Sequence, residues 1–125
     1  PEGVEIDGRD MLPVATGTGT MSHPNDALFW QSGYYHVVRA GDWKLQVDGR
    51  QKKNWLFDLA NDPTEQVNLA ETRTDKLSEL QALLDAHLAD SVAPLYPYTI
   101  ESPVAIDKTA ADAVGPDDEY VWCPN

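Results

Sequence analysis

The chain has 125 residues, 42% of them hydrophobic and four of them Trp, which suits one folded domain and is small for an enzyme with a deep active site. Nine Lys and Arg against 21 Asp and Glu give a net charge of −12, which argues against nucleic acid or an anionic membrane surface as a partner and for a solvated acidic surface. Cys123 is the single cysteine, which excludes an internal disulfide and a cysteine-rich zinc site.

Residues 1–26 read as a connector. Pro1 stands where an initiating Met would, as in a processed or excised piece, and no apolar run in the chain has transmembrane length or the pattern of a signal peptide. Gly8 to Val14 can form a helical turn, which Thr16-Gly17-Thr18-Gly19-Thr20 breaks. That Thr/Gly repeat lacks the Lys and the flanking strand and helix of a phosphate loop, so it reads as a linker.

Residues 27–69 organise the chain. Apolar and β-branched runs punctuated by turn residues predict four short strands. Residues 27–31 lead into Ser32-Gly33, a hairpin signal, because Gly takes the positive φ that such turns need. Residues 34–39 form a second run and stop at Ala40-Gly41-Asp42. In residues 43–47, Trp43, Leu45 and Val47 share one face while Lys44 and Gln46 take the other. A polar link through Asp48, Gly49, Arg50, Gln51, Lys52 and Lys53 follows. Residues 55–59 alternate again, with Trp55, Phe57 and Leu59 facing one way. The expected sheet is an antiparallel meander with one buried face.

Pro63 fixes a turn within Ala60-Asn61-Asp62-Pro63-Thr64-Glu65. A helix is then expected from Thr72 or Thr74, with Thr72 and Asp75 imitating a capping box. Leu77, Leu80, Leu84 and Leu88 fall at helical spacing and Leu83 widens the stripe. A helix of that length is marginal alone in water, so the stripe should lie on the apolar face of the meander. Trp43, Leu45, Trp55 and Phe57 are therefore expected beneath Leu77, Leu80 and Leu84. The fold class is α+β: a four-stranded antiparallel meander packed against one long helix, over residues 27–91. Residues 92–125 are broken by Pro94, Pro97, Pro103, Pro116 and Pro124, yet Leu95, Tyr96, Tyr98, Ile100, Val104, Ile106, Tyr120, Val121 and Trp122 make them too apolar for a free tail. They read as an extended Pro-rich arm across a surface.

Residues with catalytic potential are scattered. His23 precedes Pro24 in a loop, His36 is mid-strand and His87 is on the helix; none has a serine elbow or a metal-ligand spacing such as H-x-x-x-H, and each reads as structural. Asp117-Asp118-Glu119 lacks the spacing of a Ca²⁺ loop and reads as a solvated face. Cys123, before Pro124, has no base beside it in sequence to make a reactive thiol. On residues alone the chain is a structural or accessory module.

Several phrases together resemble the C-terminal subdomain of bacterial type I sulfatases, the arylsulfatase family. Asp7-Gly8-Arg9-Asp10-Met11-Leu12-Pro13 is similar to the end of that family's large catalytic domain. Leu28-Phe29-Trp30 with Ser32-Gly33, then Val38-Arg39-Ala40-Gly41-Asp42-Trp43-Lys44-Leu45, resembles its "AVRxGDWKL" hairpin. Leu56-Phe57-Asp58-Leu59, Asn61-Asp62-Pro63-Thr64-Glu65 and Asn68-Leu69-Ala70 resemble its "LYDLxxDPxExxNLA" signature before the last helix. The ordered set covers about residues 7–88.

The resemblance implies a parent enzyme that hydrolyses sulfate esters, on a sulfated small molecule or glycan, at a formylglycine made from the Cys or Ser of a C/S-x-P-x-R motif and completed by Ca²⁺. It also suggests a periplasmic or secreted location. No such motif lies in this chain, since Cys123-Pro124-Asn125 lacks the intervening residue and the Arg. The expectation is therefore a fragment with no catalytic residue, metal ligand or cofactor of its own, whose partner is the sulfatase N-terminal catalytic domain. It would buttress that domain and shape the substrate cleft, with Trp30, Gln31, Ser32 and Tyr34 at the substrate rim; the rival role for Trp30 and Tyr34 is core or interdomain packing. The alternative function is a stand-alone acidic protein-interaction module with no enzymatic activity.

Overall fold

Two tight turns frame the sheet. Gly33 has φ of 59° and Gly41 φ of 57°, a region that side chains with a Cβ enter at a cost, and each opens a two-residue hairpin connection. The computed structural model describes residues 10–21, 27–93, 95–96, 101–106, 108–109 and 111–124, with the side chains of 101 and 122–124 excepted. Residues 1–9 and 22–26, most of the expected connector, and His23 with them, lie outside the described residues. Within the remainder a short helix α1 (Leu12–Ala15) ends at Thr16, ahead of Gly17, where the Thr/Gly repeat was expected to break it.

Four strands follow: β1 (Ala27–Ser32), β2 (Tyr35–Ala40), β3 (Trp43–Asp48) and β4 (Lys53–Asp58). They form an antiparallel sheet in the order β1-β2-β3-β4, the expected meander. The first turn is Gly33-Tyr34, one residue later than Ser32-Gly33, because Ser32 pairs with Tyr35. Helix α2 (Thr74–Asp90) lays its stripe on this sheet, so the α+β assignment holds.

The helix-side core joins Ala27, Val38, Leu45, Leu56, Ala70, Leu80 and Leu84, with Phe29, Trp43, Val47, Leu77 and Leu88 at its margin. Leu80 and Leu84 are buried, and burial of each such side chain contributes roughly 1.5–3 kcal/mol. Arg73 and Lys76 cover the Trp43 ring at 5.0 and 5.8 Å from its centroid. The expected capping box does not form. Arg73 is the N-cap and supplies no side-chain cap, while the Thr72 hydroxyl donates to Leu69 O and Asp75 pairs with Arg73 at 3.3 Å. A turn in which Arg73 N also donates to Leu69 O, at 2.8 Å, draws Thr72 backward, away from the helix N–H groups. At the far end Ser91 Oγ donates to His87 O at 2.8 Å.

Trp55 and Phe57 are not beneath the helix. The register sets Leu45 opposite Leu56 and Gln46 opposite Trp55, so Trp55 and Phe57 face the other side. Four residues, 49–52, link β3 to β4, with Lys52 at φ of 55°, and a link longer or shorter by one residue would reverse the faces. The sheet therefore has two buried faces where one was expected. On the second face Trp55, Phe57 and Val121 are buried together, with Tyr35, Leu59 and Ile106 packed beside them.

Val121 arrives on an antiparallel ribbon of β5 (Glu101–Ala105) and β6 (Tyr120–Pro124). Residues 92–125, expected as an extended arm, thus place a two-stranded ribbon against the sheet. Glu119 ties it down: Trp55 Nε1 donates to Glu119 Oε2 at 2.7 Å, and Lys53 Nζ donates to Glu119 Oε1. The connection between the ribbon strands is cinched by Lys108, which donates to Ala113 O at 2.8 Å and to Asp118 at 2.6 Å.

Candidate functional site

The register that sends Trp55 to the ribbon side sends Trp30, Arg39 and Lys44 there too. Trp30 stands opposite Val37, and Arg39 opposite both Leu28 and Lys44. Beside the ribbon these side chains border a groove of about 390 Å³, lined by Trp30, Tyr35, Val37, Arg39, Lys44, Leu59 and Glu65. Val37 is buried in its floor, and Trp30 is half exposed at its edge.

One wall is a chain of polar contacts. Tyr35 Oη donates to Gln46 Oε1 at 2.5 Å, Gln46 Nε2 donates to Glu65 Oε2 at 2.8 Å, and Lys44 Nζ donates to Glu65 Oε1 at 2.6 Å. Glu65 reaches there from a loop built by its own polar side chains. Asp58 accepts from Ala60 N and Asn61 Nδ2, and Asp62 accepts from Val67 N at 2.8 Å. The N–H groups of Gln66 and Val67 hold the Asp62 carboxyl below its usual pKa. Glu65 itself adopts a φ of 58°, uncommon for a residue with a side chain, at the point where its carboxylate meets Lys44 and Gln46. Asn68 closes the loop onto the free edge of β4: its Oδ1 accepts from Leu56 N and Ala70 N, its Nδ2 donates to Asn54 O, and Leu69 N donates to Leu56 O.

The four rim residues divide. Trp30 lines the groove, and Ser32 lies on the same face two residues along. Gln31 pairs with His36 and belongs to the helix side. Tyr34 is half exposed in the turn, where its carbonyl accepts from Gly49 N at 2.9 Å. Arg39, Lys44, Tyr35 and Glu65 were not among the residues picked from the sequence. The signal that finds Arg39 and Lys44 is phase: alternate residues of a strand share a face, and each two-residue turn pairs an odd-numbered residue with an even one, which puts Arg39 and Lys44 on the face of Trp30.

The described histidines have packing roles. The His87 ring stacks on Phe29, centroids 4.1 Å apart and planes within 4°. His36 keeps a buried Nδ1 with no hydrogen-bond partner among the described residues, and burial lowers its pKa from 6.5. Among the described residues no three His, Cys, Asp or Glu side chains come together as a metal site would need. Asp118 is engaged by Lys108 and Gly115 N, and Glu119 by Lys53 and Trp55, so both serve the ribbon. The Cys123 side chain lies outside the described residues. No described helix is long and apolar enough to cross a membrane.

No protein-family model matches the chain, and no curated protein matches it.

Proposed function

We propose that this chain is the C-terminal subdomain of a sulfatase, in which it braces a larger catalytic domain and forms one wall of the substrate cleft. The observation that carries the reading is convergence. Of the seven residues lining the groove, Trp30, Arg39 and Lys44 come from the hairpin phrase, and Leu59 and Glu65 from the third phrase, the signature before the helix. Phrases spread over some 40 residues of chain meet at one surface, as they should if that surface does the work they have in common. Four polar residues of the third phrase that do not reach the groove, Asp58, Asn61, Asp62 and Asn68, are engaged in folding the loop that presents Glu65. In this reading the nucleophile and Ca²⁺ belong to the parent's larger domain, residues 1–26 connect to it, and this chain contributes shape and contacts but no chemical step.

A second reading, an acidic interaction module without enzymatic activity, is favoured by β1. It is an edge of the sheet, carries no charged residue, and exposes Leu28 and Trp30. One experiment separates the two. The gene is read upstream of Pro1, and the whole product is assayed with an aryl sulfate beside the 125-residue chain. The sulfatase reading expects an upstream C/S-x-P-x-R motif, turnover by the whole product that disappears when the motif's Cys or Ser is replaced by Ala, and none by this chain with Ca²⁺ added. Absence of the motif, or turnover by the chain alone, overturns it.

A further inference from the structure

We propose that the groove bordered by Trp30 and Arg39 binds a sugar ring carrying an anionic substituent, sulfate ester or carboxylate, as a subsite for an acidic saccharide. The proposal deepens the cleft reading and rests on it for the site's use in the parent enzyme, though the binding itself requires only this chain.

Three features select that ligand. The first is charge. In a chain of net charge −12, Arg39 and Lys44 stand directly opposite each other on neighbouring strands at the groove, and Glu65 is bonded to Lys44 alone of the two. Arg39 gives its Nε to Gly41 O at 3.2 Å, and its Nη groups have no partner among the described residues. One guanidinium is thus left to take an anion, and its planar pair of N–H groups matches sulfate and carboxylate oxygens.

The second feature is the aromatic edge. Trp30 and Arg39 are diagonal neighbours on one face, since Trp30 pairs with Val37 two residues before Arg39. An indole face is electron-rich, and the C–H face of a pyranose is weakly positive and apolar, so the two stack. Trp30 is 51% exposed, an unusual position for so large an aromatic side chain, at the end of this face away from the Trp55, Phe57 and Val121 cluster. A ring on Trp30 would hold its substituent within reach of Arg39.

The third is the polar wall. Tyr35, Lys44 and Glu65 line the groove and are fixed in place by one another and by the buried Gln46, which sets polar atoms suited to hydroxyl groups along one side of a ring. A purely apolar partner would leave this wall and Arg39 unmatched. A nucleic-acid strand would meet the repulsion of the whole acidic surface.

The test is calorimetric titration of the 125-residue chain with four probes: glucuronate linked to N-acetylglucosamine 6-sulfate, the same disaccharide without sulfate, cellobiose, and sodium sulfate. At least one acidic disaccharide should bind about tenfold more tightly than cellobiose and than sulfate, the order of the two telling which anion Arg39 takes. Binding should weaken with added salt. Arg39→Gln should lower the acidic disaccharide's affinity about tenfold and leave cellobiose unchanged, while Trp30→Ala should weaken every disaccharide. Circular dichroism and Tm of each variant, compared with the wild type, identify a folding defect. If Arg39→Gln proves misfolded, the shift of the Trp30 indole N–H resonance on titrating the wild-type chain decides the question. The proposal is overturned if no disaccharide binds, if cellobiose binds as tightly as the acidic pair, if sulfate alone matches them, or if folded variants bind as the wild type does. Binding by the chain combined with a gene lacking the upstream motif would remove the sulfatase reading and leave the subsite standing; the reverse result would remove the subsite alone.

Discussion

The two faces of the four-stranded sheet are closed by different means. On one, a 17-residue helix sets Leu80 and Leu84 against Val38, Leu45 and Leu56 in a single apolar cluster. On the other, a ribbon brings Val121 to Trp55 and Phe57 and is tied there by the Glu119 carboxylate to Lys53 and the Trp55 indole. The helix side rests on buried area, which pH and salt scarcely touch. The ribbon side combines a small apolar contact with a half-exposed ion pair, and such pairs are worth about 0–1 kcal/mol. The groove lies on this second side. The molecule thus separates the face that keeps it folded from the face that has room to bind.

The comparison can be broken most forcefully through the helix. Leu80→Ala should cost about 2–5 kcal/mol in chemical denaturation, since Leu80 is fully buried between helix and sheet. A cost near zero would mean that α2 does not close that face. Val121→Ala should cost less, about 1–2 kcal/mol from the methyl groups removed, and hydrogen exchange should quicken in β5 and β6 while the strands under the helix stay protected. Uniform loss of protection would make the two sides one cooperative unit.

The smallest effect is the pH response of the ribbon. Hydrogen bonds from Lys53 and then Trp55 hold the Glu119 carboxyl below its ordinary value of 4.5, with the Lys53 charge adding to them and desolvation opposing. The folded state therefore favours the ionised form. Its contribution is complete above pH 4.5 and fades as pH falls through the lower folded value. Fluorescence of Trp55 and exchange in the ribbon should change over that window, and Glu119→Gln should remove the response. A response that survives the substitution would place the titrating group elsewhere.

Much of this architecture is legible in the residues. The Gly33 and Gly41 turns, the alternation of Trp43, Leu45 and Val47, and the spacing of Leu77, Leu80, Leu84 and Leu88 give the meander and its helix, because each signal is local. The placing of Trp55 and Phe57 depends on something alternation does not carry. A period of two says which residues of a strand share a face, and the number of residues in the preceding link says which face that is. The helix cap departs from the local signal for a related reason: Thr72 and Asp75 have cap chemistry, and the turn from Leu69 to Arg73 takes both for other bonds. Of the groove, the sequence points only to Trp30, from its nearness to a turn. Arg39, Lys44 and Glu65 become neighbours only through strand pairing and the fold of the 58–70 loop.

The distance along the chain between the two halves of the ribbon's anchor has a temporal meaning. Every pairing within the meander joins consecutive strands, so the sheet can zip in order as the chain leaves the ribosome. Lys53 and Glu119 are 66 residues apart. At about 5–20 residues per second, several seconds separate the synthesis of Trp55 from that of the segment that covers it. In the second half of that interval, once Asp90 has been made, the nascent sheet can have its helix while Trp55 and Phe57 still lack Val121 and Glu119, and a product stopped short of Glu119 would keep that sticky face for life.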